Sequence, residues 1–218
     1  MLELSHMDKL EHYLLNHLPH HSDAFMELET FAKTHQVPIM DPVSINFLTQ
    51  LVRIHQPQTI LEIGTAIGYS ALRMLDANPN AVVTTIEKNA DMYDLALKNI
   101  KTHQKESSIS VEHGDAIDIL EQLKVDKKQF DFIFVDAAKG QYKRYFETVQ
   151  SLTTERTIIV CDNVLFKGYV VDEAKVESKR IRSLVKKIQT FNAWLMEHPD
   201  FHTSIIPIGD GVSISVKK

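Results

Sequence analysis

The feature that most constrains the fold is a series of short apolar runs, which alternate with amphipathic segments after about residue 57. Five runs are predicted strands: TILEIG (59–64), AVVTTIE (81–87), ISVEHGD (109–115), FDFIFVD (130–136) and TIIVCDN (157–163). Helical patterns separate them, such as Tyr142, Tyr145, Phe146, Val149 and Leu152. Continuous apolar strands between helices predict a doubly wound α/β fold with a mostly parallel sheet.

Both ends of the chain depart from this alternation. Three apolar faces predict two or three N-terminal helices: Leu10, Tyr13, Leu14 and Leu18; Ala24, Leu28, Phe31 and Ala32; and Phe47, Leu48, Leu51 and Val52. A long helix is predicted at about 173–197, with an apolar stripe of Ile181, Leu184, Val185, Ile188, Phe191 and Leu195. Because FHTSIIPI and VSISVKK flank Gly209-Asp210-Gly211, the sheet is expected to end in an antiparallel hairpin and to have seven strands.

Length and composition predict a single domain of 218 residues, with a helical cap at about 1–56 and an α/β core at 57–218. No apolar run reaches the roughly 20 residues of a membrane span, and no signal peptide is expected. The single cysteine, Cys161, fits a reducing cytoplasm. The net charge of -5 argues against a global basic field for nucleic acid. Ser-His-Met in the opening MLELSHM suggests a cloning remnant, with a natural start near Met7.

The segment LEIGTAIGYSAL (61–72) places a glycine loop between a strand and a helix. In doubly wound folds such a loop lies at the carboxyl edge of the sheet, where ligands bind. Gly64 and Gly68 would let the backbone approach a ligand, but their spacing differs from G-x-G-x-x-G, and Glu62 would repel a pyrophosphate. A carboxylate suits the ammonium and sulfonium of S-adenosylmethionine (SAM). The terminal hairpin is also typical of class I SAM-dependent methyltransferases. The alternative is a turn with packing glycines.

Two further strand ends carry acids that fit a nucleoside. Glu87 ends the second strand, where a carboxylate binds ribose hydroxyls in related folds. Asp115 and Ala116 follow the third strand, where they would meet the adenine amino group. The alternatives are an exposed strand-end carboxylate for Glu87 and a helix N-cap for Asp115.

Three oxygen-bearing side chains end the fourth and fifth strands: Asp136, Asp162 and Asn163. In a 3-2-1-4-5 strand order these ends are neighbours, so the three oxygens are predicted to bind Mg²⁺, Mn²⁺ or Ca²⁺ rather than zinc. The alternative is that they cap helices, although two buried carboxylates without a cation would repel each other. Lys139 follows three residues after Asp136, and a lysine beside two cations would become a proton acceptor. Its alternative is a solvated loop lysine. The eleven histidines have no metal-ligand spacing.

LEIGTAIGYS, FDFIFVDAAKGQY and IIVCDNVLFKG together resemble the cation-dependent O-methyltransferases, which include the catechol and caffeoyl-CoA enzymes. The resemblance runs from about Met40 to the C-terminus. It implies metal ligands at Asp136, Asp162 and Asn163 and an active-site lysine at Lys139. It also implies cofactor contacts at Met40, Glu62, Gly64, Ser70, Glu87, Asp115, Ala116 and Asp136. A homodimer is a further implication of the resemblance.

Within that family, DNVLFKGYV and NAWLMEHPDFHTSIIPIGDGVSIS most resemble the bacterial enzymes that methylate 5-hydroxyuridine at the tRNA wobble position. Both 5-hydroxyuridine and catechol offer two adjacent oxygens to one metal ion. A tRNA would also need cations, and Lys175, Lys179, Arg182 and Lys186 form one stripe on the long helix, which Lys143, Arg144 and Lys167 extend. Glu173 and Glu177 leave an ordinary charged face as the alternative. Rival functions are a small-molecule catechol-type methyltransferase and a non-catalytic SAM-binding or RNA-binding module.

Overall fold

A seven-stranded sheet forms the centre of the protein, in the order β3-β2-β1-β4-β5-β7-β6. The computed structural model describes residues 6–20, 22–172, 176 and 178–218. The strands are β1 Thr59–Ile63, β2 Val82–Glu87, β3 Ile109–His113, β4 Phe130–Val135, β5 Thr153–Cys161, β6 Phe201–Ile206 and β7 Val212–Lys217. The first five are parallel, and β7 runs antiparallel to both β5 and β6. The predicted strand order and terminal hairpin are confirmed.

Helices cover both faces of this sheet. They are α1 His6–Leu15, α2 Asp23–His35, α3 Pro42–His55, α4 Tyr69–Ala77, α5 Ala90–Thr102, α6 Ala116–Val125, α7 Tyr142–Val149 and α8 Lys179–Met196. Alternate residues of each central strand enter two separate cores. In β4, Phe132 and Phe134 pack in the core that contains α2 to α5, whereas Ile133 and Val135 pack in the core that contains α6 to α8. The doubly wound α/β fold is therefore confirmed.

The terminal long helix is shorter than the predicted range of about 173–197. It begins at Lys179, after Ser178 in an extended N-cap conformation (φ -74°, ψ 122°). Val185, Ile188, Phe191 and Leu195 of the predicted stripe are buried, whereas Ile181, in the first turn of the helix, is 37% exposed. The predicted residues Glu173, Lys175 and Glu177 lie outside the described residues.

The N-terminal helices match the prediction less closely. The side chains of Leu10, Tyr13 and Leu14 on α1 are exposed, and Leu18 lies beyond the end of that helix. On α2 it is Phe25, rather than the predicted Ala24, that is buried together with Leu28. Residues 1–5 of the expected cloning remnant lie outside the described residues. Within the part of the chain that the structure describes, no helix combines the length and apolarity that crossing a membrane requires.

Candidate active site

The carboxyl ends of the parallel strands surround a cavity of about 830 Å³. Its wall contains most of the residues predicted for the site: Met40, Gly64, Ser70, Glu87, Asp115, Ala116, Asp136, Lys139, Asp162 and Asn163. The wall does not include Glu62 or Gly68. The strand order therefore brings the predicted residues together at one edge of the sheet, as the sequence indicated.

Gly64 is required by the close approach of β1 and β4. Its φ is +102°, and a Cβ at this position would lie 2.0 Å from the carbonyl oxygen of Asp136. The amide of Asp136 in turn donates to the carbonyl of Ile63 at 2.9 Å. A larger residue at position 64 would force the two strand ends apart, so Gly64 sets the position of Asp136 relative to the glycine loop.

Glu62 is fully buried behind the cavity wall. Its two carboxyl oxygens accept hydrogen bonds from the hydroxyls of Ser70 and Thr85, each at 2.5 Å. Burial raises the pKa of Glu62 from 4.5 to about 8, although these hydroxyl bonds lower it, and the nearby carboxylates of Asp136 and Glu87 raise it further. Ser70 lines the cavity. Glu62 thus contacts the cavity through Ser70.

Gly68 is favoured by its backbone conformation rather than by close packing. It is the N-cap of α4 with a left-handed φ of +83°. A Cβ here would lie 3.6 Å from both Cα and Cβ of Ala96 on α5, which is an ordinary contact distance. The neighbouring Tyr69 and Ser70 face the cavity instead.

The two acids that the sequence predicts to contact the nucleoside, Glu87 and Asp115, are held differently. Glu87 accepts from the amide of Ala66 at 2.8 Å and from the amide of Asn89 at 2.7 Å, so its carboxylate bridges the ends of β1 and β2. Asp115 caps α6 by accepting from the amide of Ile117 at 3.1 Å. Its other oxygen pairs with Lys88 Nζ at 2.8 Å, and this bond lowers the pKa of Asp115. Asp115 is therefore both a helix cap and a residue of the cavity wall.

Asp136, Asp162 and Asn163 meet at the ends of β4 and β5. Burial raises the pKa of Asp136, and the nearby charge of Lys139 lowers it. Burial also raises the pKa of Asp162 to about 8, and the neighbouring carboxylate of Asp136 contributes to this increase. The amide of Asn163 donates to Asp162 Oδ1 at 2.7 Å, and Asn163 has a left-handed φ of 57°. Among the described residues no three His, Cys, Asp or Glu side chains form a metal-binding group. The predicted trio is not a group of that kind, because it has two carboxylates and, at Asn163, an amide oxygen.

Lys139 lies directly against this trio. Its Nζ donates to Asn163 Oδ1 and lies 5.8 Å from the centre of the Phe166 ring. Lys139 is half-buried in the cavity wall, so it is not the freely solvated loop lysine that the sequence left as an alternative. An ammonium group here partly offsets the charges of the two carboxylates.

Sequence reasoning missed several residues of the cavity wall: Asp41, Tyr69, Tyr145, Phe166 and Asp210. Asp41 was detectable, because an aspartate before Pro42 is a typical helix N-cap, and it accepts from the amides of Val43 and Ser44 at 3.0 Å. Asp210 was noticed only as part of a turn. Its position in the cavity depends on how the hairpin packs, which the local sequence does not specify.

Comparison with known proteins identifies the family. A family model described as O-methyltransferase matches residues 17–218. The chain belongs to this O-methyltransferase family. Members of the family that resemble it are SAM-dependent enzymes, and the chain is accordingly a SAM-dependent O-methyltransferase.

Individual relatives cover nearly the whole chain. A catechol O-methyltransferase of Niastella koreensis is 32% identical over 220 residues, which are 97% of each chain. A Staphylococcus aureus structure, provisionally assigned as a caffeoyl-CoA O-methyltransferase, has a TM-score of 0.90 and 36% identity and covers 97% of this chain and 100% of its own. An O-methyltransferase of Bacillus cereus in complex with SAH has a TM-score of 0.83 and 29% identity, with 96% and 97% covered. The chain is thus similar to enzymes that are named for different substrates, catechol and caffeoyl-CoA.

Proposed function

We propose that this enzyme is metal-dependent and transfers the methyl group of SAM to a hydroxyl that has a second oxygen beside it. The observation that carries the proposal is the convergence of Asp136, Asp162 and Asn163 beside a cavity large enough for a nucleoside cofactor. Carboxylate and amide oxygens suit Mg²⁺, Mn²⁺ or Ca²⁺. A divalent ion would also offset the cost of burying Asp136 and Asp162 next to each other, so the residues fit such an ion.

The proposed mechanism divides the work among the residues of the cavity. Asp136, Asp162 and Asn163 would hold the ion, which when bound polarises the acceptor hydroxyl and lowers its pKa. Lys139 Nζ would take the hydroxyl proton if it is a neutral amine, or would stabilise the oxyanion if it remains an ammonium group. Met40, Ser70, Glu87 and Ala116 position SAM so that its methyl carbon is in line with the acceptor oxygen. Glu62 orients Ser70 from behind the wall.

For the metal role we expect Asp136→Ala to lower kcat at least about a hundredfold, since the acceptor hydroxyl loses its activation. The control is Asp126→Ala, which changes an exposed carboxylate at the end of α6. Methyl transfer from radiolabelled SAM measures both variants, with EDTA and then with Mg²⁺ restored. Activity that persists in EDTA would contradict the proposed role of the metal.

As the substrate we propose 5-hydroxyuridine at the tRNA wobble position, giving 5-methoxyuridine. Its 5-hydroxyl and neighbouring O4 supply the two adjacent oxygens. Several cations lie at or near the cavity. Lys139 and Lys167 line it. Lys187 approaches the neighbouring Gly140, since its Nζ lies 3.7 Å from where a Cβ on that glycine would be. On α8 the predicted cations Lys179, Arg182 and Lys186 are exposed. Such a local group can contact phosphates although the whole chain is acidic.

A small catechol-type substrate is the second candidate, favoured by the similarity to the Niastella koreensis enzyme. A paired assay of tRNA carrying 5-hydroxyuridine and of a catechol separates the two. For the tRNA we expect salt-sensitive turnover, with KM raised about tenfold in a triple variant with Lys179, Lys186 and Lys187 changed to alanine. The matched control changes Lys124, Lys127 and Lys128, which are exposed at the opposite edge of the sheet. Efficient turnover of catechol alone would overturn the tRNA assignment.

Three broader properties complete the proposal. Residues 1–218 would act as one methyltransferase domain, in which the loop 38–41 between α2 and α3 forms part of the cavity wall. The family resemblance implies a homodimer, and the exposed apolar side chains of Leu10, Tyr13 and Leu14 give α1 a surface to bury. The buried thiol of Cys161 fits a cytoplasmic enzyme.

A further inference from the structure

The loop after β5 has an unusual backbone. Asn163, Phe166 and Lys167 have left-handed φ values of 57°, 43° and 55°. Residues with a Cβ other than asparagine and aspartate seldom adopt this region, and residues held there concentrate at functional sites. All three line the cavity, and Asn163 supplies the third oxygen of the candidate metal site.

The hairpin turn between β6 and β7 pairs with this loop. The amide of Val164 donates to the carbonyl of Gly211 at 2.9 Å. The amides of Leu165 and Phe166 both donate to the carbonyl of Asp210, at 2.8 Å and 3.0 Å. Three consecutive amides between Asn163 and Lys167 are thus bound by two carbonyls of the turn.

The turn approaches too closely for any side chain at its two glycines. At Gly211, with φ +85°, a Cβ would lie 2.3 Å from Leu165 Cγ and 2.8 Å from the Leu165 backbone nitrogen. At Gly209, with φ +54°, a Cβ would lie 2.1 Å from Asp41 Oδ2 and 2.2 Å from Ser44 Oγ. The turn is therefore packed between the loop after β5 and the start of α3, which follows Met40 in the cavity wall.

Three side chains contact the loop from other directions. Lys139 Nζ donates to the side chain of Asn163 and lies over the Phe166 ring. The hydroxyl of Tyr142 donates to the carbonyl of Asp162 at 2.9 Å, and Asn192 Nδ2 donates to the carbonyl of Val164 at 2.7 Å. These two backbone contacts lie at Asp162 and Val164, whereas the amides of Leu165 and Phe166 are bound by Asp210 of the turn. The turn is therefore the element outside the loop that holds the backbone at Leu165 and Phe166.

We propose that the turn Ile208–Gly211 is a positioning element, which holds the loop 163–167 in the conformation that presents Asn163 to the metal and Phe166 to the cavity. Gly211 and Gly209 are its positioning residues. The proposal rests on the metal role of Asn163 proposed above. Outer contacts of this kind change metal affinity about tenfold to a hundredfold when they are lost.

The test measures Mn²⁺ binding by electron paramagnetic resonance and SAM binding by calorimetry. We expect Gly211→Ala to weaken Mn²⁺ binding at least about tenfold, because the loop must move away from the new methyl group. SAM affinity should stay within about twofold, since Ser70 and Glu87 are held by Glu62 and by the amides of Ala66 and Asn89 rather than by the turn. The matched control is Gly168→Ala, which has a comparable φ of +75° but nothing within 4 Å of the new Cβ. This control should bind Mn²⁺ like the wild type.

A second variant covers the case in which Gly211→Ala does not fold. Insertion of one glycine between Asp210 and Gly211 shifts the two carbonyls without adding a side chain, and we expect the same loss of Mn²⁺ affinity. Wild-type Mn²⁺ affinity in either folded variant would overturn the positioning role. Absence of Mn²⁺ binding in the wild-type chain itself would overturn the metal site and this proposal with it, which distinguishes the two failures.

Discussion

Burial gives Glu62 a proton at pH values where an exposed glutamate has none. Its pKa of about 8 lies above the ordinary 4.5, so the folded chain holds this proton more tightly than the unfolded chain does. The stabilisation is complete below pH 4.5 and is lost as the pH rises through about 8. We expect Glu62→Gln to remove this part of the pH dependence, because a glutamine stays neutral.

The measurement is the urea midpoint of both proteins from pH 5 to pH 9. The wild type should lose more stability than the variant over this range. Parallel curves would contradict the assignment of a raised pKa to Glu62, since every other titrating group is common to the two proteins.

For individual residues, the sequence predicted which ones lie at the cavity better than it predicted whether each contacts the cavity directly or through another side chain. Asp136 and Asp162 were identifiable because each directly ends a buried strand. Glu62 was equally identifiable, yet Ser70 stands between it and the cavity. Gly68 contacts Ala96, which is distant in sequence. The position along a strand is encoded locally, whereas the side chain that intervenes depends on tertiary packing.

Among the helices, α2 is fixed to α4 by a buried polar group. Tyr69 Oη donates to Glu29 Oε1 at 2.5 Å and accepts from Arg73 Nη1 at 2.8 Å. Arg73 is buried and lies 3.7 Å from the same Glu29 oxygen. Loss of Glu29 would leave a buried guanidinium without its carboxylate.

We therefore expect Glu29→Ala to lower the free energy of unfolding by roughly 2 kcal/mol, discounted because Glu29 is partly exposed. Glu27→Ala, two residues away on the exposed face of α2, should change it by less than about 0.5 kcal/mol. Urea denaturation measures both, and hydrogen exchange reports whether α2 is the element that loosens. Equal effects of the two variants would contradict a role for the Glu29 contact.

Element boundaries were the less predictable part of the fold. β5 begins at Thr153, four residues before the predicted run, because Thr153 pairs with Phe130 across a register shift. α8 begins at Lys179 rather than at about 173, and its buried side chains begin at Val185. Leu184, just before them, contacts the 3-10 turn Lys139–Gln141. Local patterns marked each element, but its ends depend on neighbours that are remote in sequence.

For the whole molecule, alternation of strands and helices was sufficient to predict the doubly wound sheet and its carboxyl-edge site. The order β3-β2-β1-β4-β5 places Asp136 and Asp162 on adjacent strands, and this adjacency is a property of topology rather than of any segment. The turn Ile208–Gly211 shows the limit of such reasoning. Its sequence predicted a hairpin, whereas its contacts with Leu165 and Asp41 join segments that are remote in sequence.

The most direct test of the central claim is anomalous diffraction from crystals soaked with Mn²⁺ and SAM. We expect one manganese peak at about 2.0–2.3 Å from oxygens of Asp136, Asp162 and Asn163. The methyl group of SAM should point towards the open positions of that ion. A manganese ion bound elsewhere, or no ion beside a fully bound SAM, would contradict the account.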